Sequence, residues 1–347
     1  MHNMAGCEMP EGTVLLAHGS GGTLTHDLVR NLFVRYFDNP ALRAQDDSAV
    51  VQMEAPPGAR LALTTDSYVV QPIFFPGGDI GKLAVCGTVN DLAMVGAQPL
   101  HLTAGFILEE GLSLVDLERV VASMARTAEE AGVQIVAGDT KVVDRGSADH
   151  IFINTTGLGI VPPGVDISGA NAEPGDVVIL SGPIGLHGMA IMSQREGLQF
   201  SFPLLSDCAP LYGLVNEMLR VDKRIHCLRD PTRGGLATVL NELAVQSQVG
   251  MEIEESRVPI PESVRAACEL LGLDPLYVAN EGKLVAIVPP DIESSLLRAM
   301  RCHPFGREAV SIGCVTAAHP GRLVLHTTLG ASRILGVLAG AQLPRIC

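Results

Sequence analysis

Apolar and polar residues alternate in blocks that predict mixed helices and strands in both halves of the chain. Short apolar runs have the length and the bounding turn residues of buried strands. In the first half, such runs cover 61–65, 101–108, 133–137 and 151–159. In the second half, they cover 177–180, 284–288 and 322–326. The pattern therefore predicts a mixed α/β protein with two groups of strands.

The clearest helix predicted by the pattern covers 113–132. Ser113 can act as its N-cap, and Asp116 stands where a capping box needs a side chain that returns to the cap. Apolar residues recur at helical spacing along one face, and Gly132 is a typical helix end. Further helices are predicted from about His187 and over 236–247.

Proline and glycine mark the boundaries between the predicted domains. The run Val-Pro-Pro-Gly at 161–164 and the turn Glu-Pro-Gly-Asp at 173–176 separate the two groups of strands. We therefore expect one domain over 11–160 and a second α/β domain over 172–330. Residues 331–347 are sparse in charge and contain Gly336 and Gly340, so we expect an extended, mobile tail there, seen in the pattern from Ile334 onward.

Composition narrows the class of protein. The 347 residues are 47% apolar and 18% charged, which favours a large folded core over long disordered segments. Against 24 Lys and Arg stand 38 Asp and Glu, and the net charge of −14 disfavours binding to nucleic acid. We find neither a secretory signal nor an apolar run long enough to span a membrane, and the eight cysteines form no C-x-x-C pair. We therefore expect a cytoplasmic protein with reduced thiols.

Acidic residues in the first domain stand at or near the ends of apolar runs. They are Asp46 and Asp47, Asp66 after Thr65, Asp91 after Asn90, and Asp139 before Thr140 and Lys141. Carboxylates on several loops at one sheet edge suit Mg²⁺, which often shares its oxygen ligands with phosphates. Each Asp could instead be an ordinary turn or cap residue. Lys141 could contact a transferred phosphoryl group or simply neutralise its acidic neighbours.

Other motifs leave their roles open. The chain has no Walker motif, and the glycine-rich segment 18–22 could be a lid over a ligand or a mobile loop. In the second half, Asp230 could anchor a helix N-terminus. Glu281 could be a general base, and His187 could be a phosphate contact or a helix cap.

Cys347 lies at the end of the glycine-containing tail. A thiol on a mobile tail can visit different sites, as a carrier arm does, although a casual thiol at a frayed end is the alternative. The position of Cys347 rules out a prenylation box, which needs residues after the cysteine.

The motifs together resemble the HypE family, the carbamoyl dehydratases of nickel–iron hydrogenase maturation. These belong to a wider group with aminoimidazole ribonucleotide synthetase, selenophosphate synthetase and thiamine-monophosphate kinase. The shared motifs are HGSGG at 18–22, DDSAV at 46–50, TDSYVV from Thr65, NDLAMVGAQP at 90–99, GDTKVV at 138–143, INTTG at 153–157, DPTRGGLATVLNE at 230–242, NEGK at 280–283 and the final PRIC. The resemblance covers essentially the whole chain, and PRIC is its most specific part.

The resemblance implies a two-domain fold of mixed α and β structure, like that of aminoimidazole ribonucleotide synthetase. Its N-terminal domain would bind ATP and pair with a second copy to form a dimeric β-barrel, and a mobile tail would end in a carrier cysteine. The resemblance implies Mg²⁺ on Asp46, Asp66 and Asp91. The implied ATP contacts are Asp46, Thr65, Asp66, Asn90, Asp91, Asp139, Thr140, Lys141 and Asp230.

The family's reaction gives these residues roles. A carbamoyltransferase, HypF, would load a carbamoyl group on Cys347, and ATP would phosphorylate the carboxamide oxygen. Loss of phosphate would leave a thiocyanate, whose cyano group passes to iron held by the HypC–HypD complex. Lys141 would balance phosphoryl charge, and Glu281 would act as the base. His187 is the weaker catalytic candidate, because Leu186 replaces an acidic residue found before the His-Gly pair in many relatives.

Two other functions remain open at this point. A phosphotransferase or amidine-forming ligase acting on a free small molecule would use the same acidic motifs but would not need Cys347. A non-catalytic scaffold would use the tail only to dock a partner.

Overall fold

The computed structural model describes residues 12–44, 48–197, 204–337 and 345–347. Two sheets carry most of its strands. The strands are β1 (Arg60–Tyr68), β2 (Phe74–Phe75), β3 (Gly78–Asp79), β4 (Gln98–Glu109), β5 (Gln134–Val143), β6 (Ile151–Val161), β7 (Val177–Leu180), β8 (Cys227–Arg229), β9 (Gly250–Glu254), β10 (Val285–Val288), β11 (Val310–Thr316), β12 (Leu323–His326) and β13 (Ser332–Leu335).

Helices cover the sheets and link the two halves of the chain. The α-helices are α1 (Thr23–Leu28), α2 (Arg35–Phe37), α3 (Pro40–Ala44), α4 (Ile80–Met94), α5 (Leu114–Ala131), α6 (Leu186–Arg195), α7 (Tyr212–Val221), α8 (Gly235–Ser247), α9 (Glu262–Leu271) and α10 (Glu293–Cys302). A π-helical segment, Val29–Val34, joins α1 to α2, so the chain is helical without a break from Thr23 to Phe37. Among the described residues, no helix is both long and apolar enough to cross a membrane.

The first sheet has four strands in the order β1-β6-β4-β5. The β4–β5 pair is parallel, and the other two pairs are antiparallel. Alternate residues of β4, such as Leu102 and Phe106, are buried in the core that also holds α4 and α5. The opposite face stays open: Leu61, Leu63 and Ile107 are 60%, 72% and 43% exposed on it. The first sheet therefore has one packed face and one open face that carries exposed apolar side chains.

The second sheet has seven strands in the order β13-β12-β9-β11-β7-β10-β8. Its β9–β12 pair is parallel and the other pairs are antiparallel. One apolar cluster on this sheet includes residues of α8, and another includes residues of α7 and α10. Helix α4 is buried almost all round because it lies between the first sheet and elements of the second half, including α7 and β8. It therefore brings its own side chains to the boundary between the halves.

The predicted helix over 113–132 is confirmed. It covers Leu114–Ala131, the Ser113 hydroxyl accepts a hydrogen bond from the Asp116 N–H at 3.4 Å, and Gly132 ends the helix with a φ of 71°. Asp116 pairs with Arg119 at 3.0 Å instead of returning to the cap. The N-cap therefore forms without the carboxylate half of a capping box.

The loop positions expected for the acidic motifs are wrong. Asp66 lies within β1, and Asp139 and Lys141 lie within β5, which extends six residues past the predicted end at 137. Asn90 and Asp91 lie in α4. Asp139 and Lys141 fit inside β5 because alternate side chains leave the core, so the apolar run in the sequence stops before the strand does. Asp66 instead shares the packed face of β1 with Thr64 and is only partly exposed there. The tail expected from residue 331 also begins differently, since Ser332–Leu335 forms the edge strand β13.

Candidate active site

Four acidic residues lie near one another at the boundary between the two halves: Asp66, Asp91, Asp230 and Glu281. We call the space between them the cleft. Their charges act on one another. Asp66 raises the pKa of Asp91, Asp230 and Glu281, Asp91 raises that of Asp230, and Asp230 raises that of Glu281. We call these four residues the carboxylate cluster. Like charges held this close favour protonation or the arrival of a cation.

Asp91 enters the cluster from α4. Its Oδ2 accepts a hydrogen bond from the Thr64 hydroxyl on β1 at 2.8 Å, which favours the charged form. Burial outweighs that bond and raises the pKa of Asp91 above its usual value. The adjacent Asn90 is buried, and its amide donates to the carbonyls of Ala209 and Glu281 at 3.1 and 3.3 Å. Helix α4 therefore also fixes the backbone that carries Glu281.

Asp230 lies between β8 and α8. Burial, followed by the charge of Asp91, raises its pKa to about 7. The loop that follows turns through Gly234 and Gly235, both at positive φ, of 76° and 62°. A Cβ on Gly235 would lie 2.7 Å from the carbonyl oxygen of Val278. Glycine at 235 therefore lets this loop lie directly against the segment that leads to Glu281.

Glu281 is the most deeply buried member of the cluster, with 3% of its surface exposed. Its backbone N–H donates to Asp207 Oδ1 at 3.1 Å, and Asp207 pairs with Lys283 at 3.3 Å. Burial and the neighbouring Cys208, Asp230, Asp207 and Asp66 raise the pKa of Glu281 well above its usual value. Its Oε1 has no hydrogen-bond partner among the described residues. A raised pKa makes the ionised form of this carboxylate a stronger base than an ordinary glutamate.

The last three residues of the chain are held next to this cluster. The Val69 N–H donates to the main-chain oxygen of Cys347 and the Gln71 N–H to that of Arg345, both at 3.3 Å. The Ile346 side chain is 3% exposed and packs in the core of the first half. Arg345 forms an ion pair with Asp149. We call Arg345–Cys347 the docked tail.

Burial and charges of the carboxylate cluster raise the pKa of the Cys347 thiol. Burial comes first and Glu281 second among the causes that raise its pKa to about 12, and Asp66 and Asp230 add to them. Arg233, an exposed residue of the loop before α8, acts in the opposite direction. The thiol is therefore protonated at neutral pH, and it lies within electrostatic reach of both Glu281 and Arg233.

A second group of predicted site residues lies elsewhere. Asp139 and Lys141 form an exposed ion pair of 2.8 Å on the open face of β5, and this hydrogen bond lowers the pKa of Asp139. Asp66 and Gly138 lie in one cross-strand row, on the edge strands β1 and β5. Three strand spacings, roughly 14 Å, separate those edges. Within one chain, Lys141 is therefore not a member of the carboxylate cluster.

A cavity of about 150 Å³ lies on the inner side of β5, next to this pair. Phe33, Phe37, Phe106 and Ile135 give it apolar walls, and Asp139 and Thr140 line it as well. The glycine-rich segment after His18 lies against β5: a Cβ on Gly19 would lie 2.6 Å from the Val142 nitrogen. An apolar slot beside polar strand residues suits a flat heterocycle that carries a charged group.

The structure thus brings together some predicted residues and separates others. Asp66, Asp91, Asp230, Glu281 and Cys347 meet at the cleft. Asp139, Thr140 and Lys141 lie on β5, Thr65 is exposed on the open face, and His187 contacts the docked tail. Asp46 lies outside the described residues, as does Asp47. Asp207, Ser206 and Asp149 lie in no recognisable sequence motif and were not predicted. Arg233 was not predicted either, although the motif DPTRGG contains it.

Carboxylate oxygens of Asp66 and Asp91 are the donors that Mg²⁺ prefers. In the described part of the chain, no group of three or more potential ligands is assembled for a metal ion. Asp66 and Asp91 nevertheless repel each other, and in the described residues the nearby Glu281 Oε1 has no hydrogen-bond partner. These residues fit Mg²⁺ if phosphate oxygens supply its remaining ligands.

Comparison with known proteins adds the following. The family models "AIR synthase related protein, N-terminal domain" and "C-terminal domain" match residues 45–161 and 173–326. Carbamoyl dehydratase HypE of Azotobacter vinelandii is 55% identical over 344 residues, 99% of this chain and 100% of the relative. A crystal structure of HypE in complex with ATP has a TM-score of 0.92 and 53% identity, covering 96% of this chain and 99% of that one. A chain of a HypE–HypF complex has a TM-score of 0.78 and 51% identity, covering 90% and 99%.

Proposed function

The chain belongs to the HypE family of carbamoyl dehydratases, and we propose that it dehydrates a carbamoyl group carried on its own Cys347 to a thiocyanate, using ATP. The observation that carries this proposal is the position of Cys347, beside Glu281 and the carboxylate cluster. A cleft that served only a free small molecule would have no use for a tail docked in it.

In this reaction, the oxygen of the carbamoyl group is transferred to the γ-phosphorus of ATP and leaves as part of phosphate. The carboxamide oxygen of the S-carbamoyl group attacks the γ-phosphorus of ATP, ADP leaves, and the amide nitrogen loses one proton. Cleavage of the carbon–oxygen bond then releases phosphate, the nitrogen loses its second proton, and a carbon–nitrogen triple bond remains on sulfur. Phosphorylation is needed because an amide oxygen is a poor leaving group.

Glu281 would take the protons from nitrogen. Its carboxyl is buried beside Cys347, its Oε1 has no hydrogen-bond partner in the described part of the chain, and its raised pKa makes the ionised form a stronger base than an ordinary glutamate. Mg²⁺, when bound with ATP on Asp66 and Asp91 and on the predicted Asp46, would offset phosphate charge and favour ionisation of the cluster. Arg233 lies within electrostatic reach of both Cys347 and Asp91, where it would contact the phosphorylated cargo.

Lys141 would complete the site from a second copy. The open face of the first sheet, with Leu61, Leu63 and Ile107 exposed, supports a homodimer in which two such sheets close a barrel. If the β5 edge of one copy lies at the β1 edge of the other, the Asp139–Lys141 pair of one subunit reaches the carboxylate cluster of its neighbour. The apolar cavity beside Thr140 would hold the adenine, and Asp230 stays a predicted nucleotide contact.

The remaining steps need partners. The tail would receive its carbamoyl group from a carbamoyltransferase of the HypF kind, and the HypE–HypF complex among the similar structures supports this. The cyano group would then pass to iron held by a HypC–HypD complex. Both events require the docked tail to leave the cleft, where its thiol is partly buried.

One experiment tests the reaction and excludes its main alternative. We expect that protein carbamoylated by a HypF-type transferase and then given Mg·ATP will lose the mass of one water from its C-terminal peptide. Cys347→Ser should abolish this loss and leave Mg·ATP binding intact. ATP turnover on a free small molecule that survives deletion of 345–347 would instead support the phosphotransferase or ligase. Absence of any mass change in fully loaded protein would defeat the proposal.

A further inference from the structure

His187 is buried where the docked tail crosses it, and both ring nitrogens are engaged. Its Nε2 lies 2.7 Å from the Ile346 carbonyl oxygen, and its Nδ1 lies 2.8 Å from the Ser206 hydroxyl. The ring is 0% exposed and stands edge-on to Phe75, with centroids 5.5 Å apart. The described contacts therefore join the imidazole to the main chain of the tail and not to the sulfur of Cys347.

These contacts fix the protonation state of the ring. A carbonyl oxygen can only accept, so Nε2 must carry the proton. The Ser206 oxygen already accepts the Cys208 N–H at 3.1 Å, which leaves its own O–H free to donate to Nδ1. A neutral imidazole satisfies every one of these groups, and burial lowers the pKa of His187, in agreement with this. A ring in this state holds no spare lone pair with which to act as a base.

The imidazole is also tied to the segment that carries Glu281. His187 is near the start of α6, where the Gly185 N–H donates to Asn280 Oδ1 at 2.7 Å and the Gly188 N–H to the Ala279 carbonyl at 3.1 Å. Asn280 directly precedes Glu281 in the chain. The anchor for the tail and the proposed base therefore belong to one connected piece of backbone.

We propose that His187 is a positioning residue that latches the tail by its main chain and so sets how long the carrier sulfur stays in the cleft. The latch contacts the residue before the cysteine, so it holds the tail equally whether the sulfur is free, carbamoylated or cyanated. It differs from a catalytic base, because it acts on docking and not on proton transfer. The inference rests on the proposed carrier role of Cys347, but its test does not depend on dehydration.

The test measures how often the tail leaves the cleft in the full-length protein without nucleotide. Iodoacetamide should alkylate Cys347 mainly when the tail is undocked, because the docked thiol is partly buried and its pKa is raised to about 12. Mass spectrometry of the C-terminal peptide gives the rate. The exposed Cys302 and Cys314 provide internal references in each sample. His187→Met removes the donor at similar size, whereas His187→Gln keeps an N–H near the position of Nε2.

We expect Cys347 to be alkylated roughly tenfold faster in His187→Met than in wild type, the change that follows from loss of one buried hydrogen bond. His187→Gln should restore most of the protection, and the two reference rates should not change. Equal Cys347 rates in wild type and folded His187→Met would overturn the proposal. If His187→Met does not fold, Ser206→Ala decides: about a threefold faster rate supports the latch, and an unchanged rate refutes it.

Discussion

The carboxylate cluster and the Asp139–Lys141 pair show two opposite environments for the same kind of side chain. Asp230 and Glu281 are buried among other acids, and their pKa values rise, that of Asp230 to about 7. Asp139 is exposed, receives a hydrogen bond from Lys141 at 2.8 Å, and has a lowered pKa. The acids of the first group repel one another, whereas the acid of the second is neutralised by its own lysine. The proposed function accounts for this difference, because a cation that arrives with ATP would reduce the repulsion within the cluster.

The separation of the two groups also has a geometric cause. They occupy opposite edges of the four-stranded sheet, and Thr64 and Asp139 project to opposite faces because side chains alternate along a strand. No side-chain rotation brings Lys141 across that distance. A site that uses both groups must therefore take one of them from another copy of the chain.

The largest effect should come from Glu281→Gln, which removes the proposed base and keeps the shape of the side chain. We expect dehydration of loaded Cys347 to slow by about 10³-fold, within the range for loss of a general base. Binding of Mg·ATP should persist, because the substitution keeps the size of the side chain and leaves Asp66 and Asp91 in place. The single-turnover rate is measured from the mass of the C-terminal peptide, and nucleotide affinity by calorimetry.

Glu217→Gln provides the control, because Glu217 on α7 forms an exposed ion pair with Arg220 at 2.7 Å. It should leave the dehydration rate within about twofold of wild type, as expected for a surface pair. Dehydration by Glu281→Gln at the wild-type rate would show that another group takes the protons.

The sequence predicted the larger features well. The two-domain fold is confirmed by the matching families and structures, and the helix over 113–132 is confirmed with its caps. Local signals suffice there, because caps and hydrophobic periodicity act over a few residues. The placement of Asp66, Asp91 and Asp139 in loops was wrong. For Asp139 the reason is that an exposed strand face tolerates polar residues, so the apolar run ends before the strand does. Asp66 and Asp91 are instead polar residues on partly buried positions of a strand and a helix, which a polar residue in the sequence does not reveal.

The architecture of the site could be predicted only in part. Motifs identified Asp66, Asp91, Asp230, Glu281 and Cys347, and the structure gathers them. The contacts that hold the tail join residues far apart in the chain, such as His187 with Ile346 and Arg345 with Asp149. Such pairs leave no pattern in a single sequence, since neither partner needs a special neighbour. The role of the sheet edges likewise depends on register, which only the folded chain defines.

A smaller but more specific effect is expected in a heterodimer in which one chain carries Lys141→Met and the other carries Glu281→Gln. Each variant alone should be nearly inactive. Suppose that Lys141 acts across the interface. The site with the intact Glu281 of the first chain then receives the intact Lys141 of the second, and the other site lacks both residues. Co-expression with two tags and tandem purification gives pure heterodimer, and we expect about half of the wild-type dehydration rate per dimer, since one of two sites is intact.

The same mixture separates the two ways of building the site. If Lys141 serves its own subunit, every site in the heterodimer keeps one defect and the preparation stays inactive. Recovery is therefore evidence for the shared site, and its absence in folded heterodimer contradicts it. A heterodimer in which one chain carries both substitutions and the other is wild type serves as the control, because shared sites would then each have one defect.

The smallest predicted effect is on the free energy of unfolding, which should depend on pH in opposite ways at Asp230 and at Asp139. The pKa of Asp230 is raised from 3.8 to about 7, so between about pH 4 and 7 the folded protein binds more protons than the unfolded chain, and stability falls as pH rises. Asp230→Asn removes this loss. Without nucleotide, we expect the variant to be more stable than wild type by roughly 2 kcal/mol at pH 8, with a gap that closes toward pH 4.

The matched substitution on β5 should behave in the opposite way. The lowered pKa of Asp139 means that its ionised form is favoured by folding, so its small contribution is present above the unfolded pKa and lost as pH falls. Asp139→Asn should therefore give no stabilisation at any pH, and its effect should be weakened by salt because the pair is exposed. Thermal unfolding of both variants from pH 4 to 8 measures the contrast. A gain in stability for Asp139→Asn, or a loss for Asp230→Asn at pH 8, would contradict the assignment of the cluster as the strained, ligand-dependent half of the site. Repulsion among buried carboxylates lowers the stability of the folded protein, and a binding site can retain it because the same carboxylates are then in position to bind a cation.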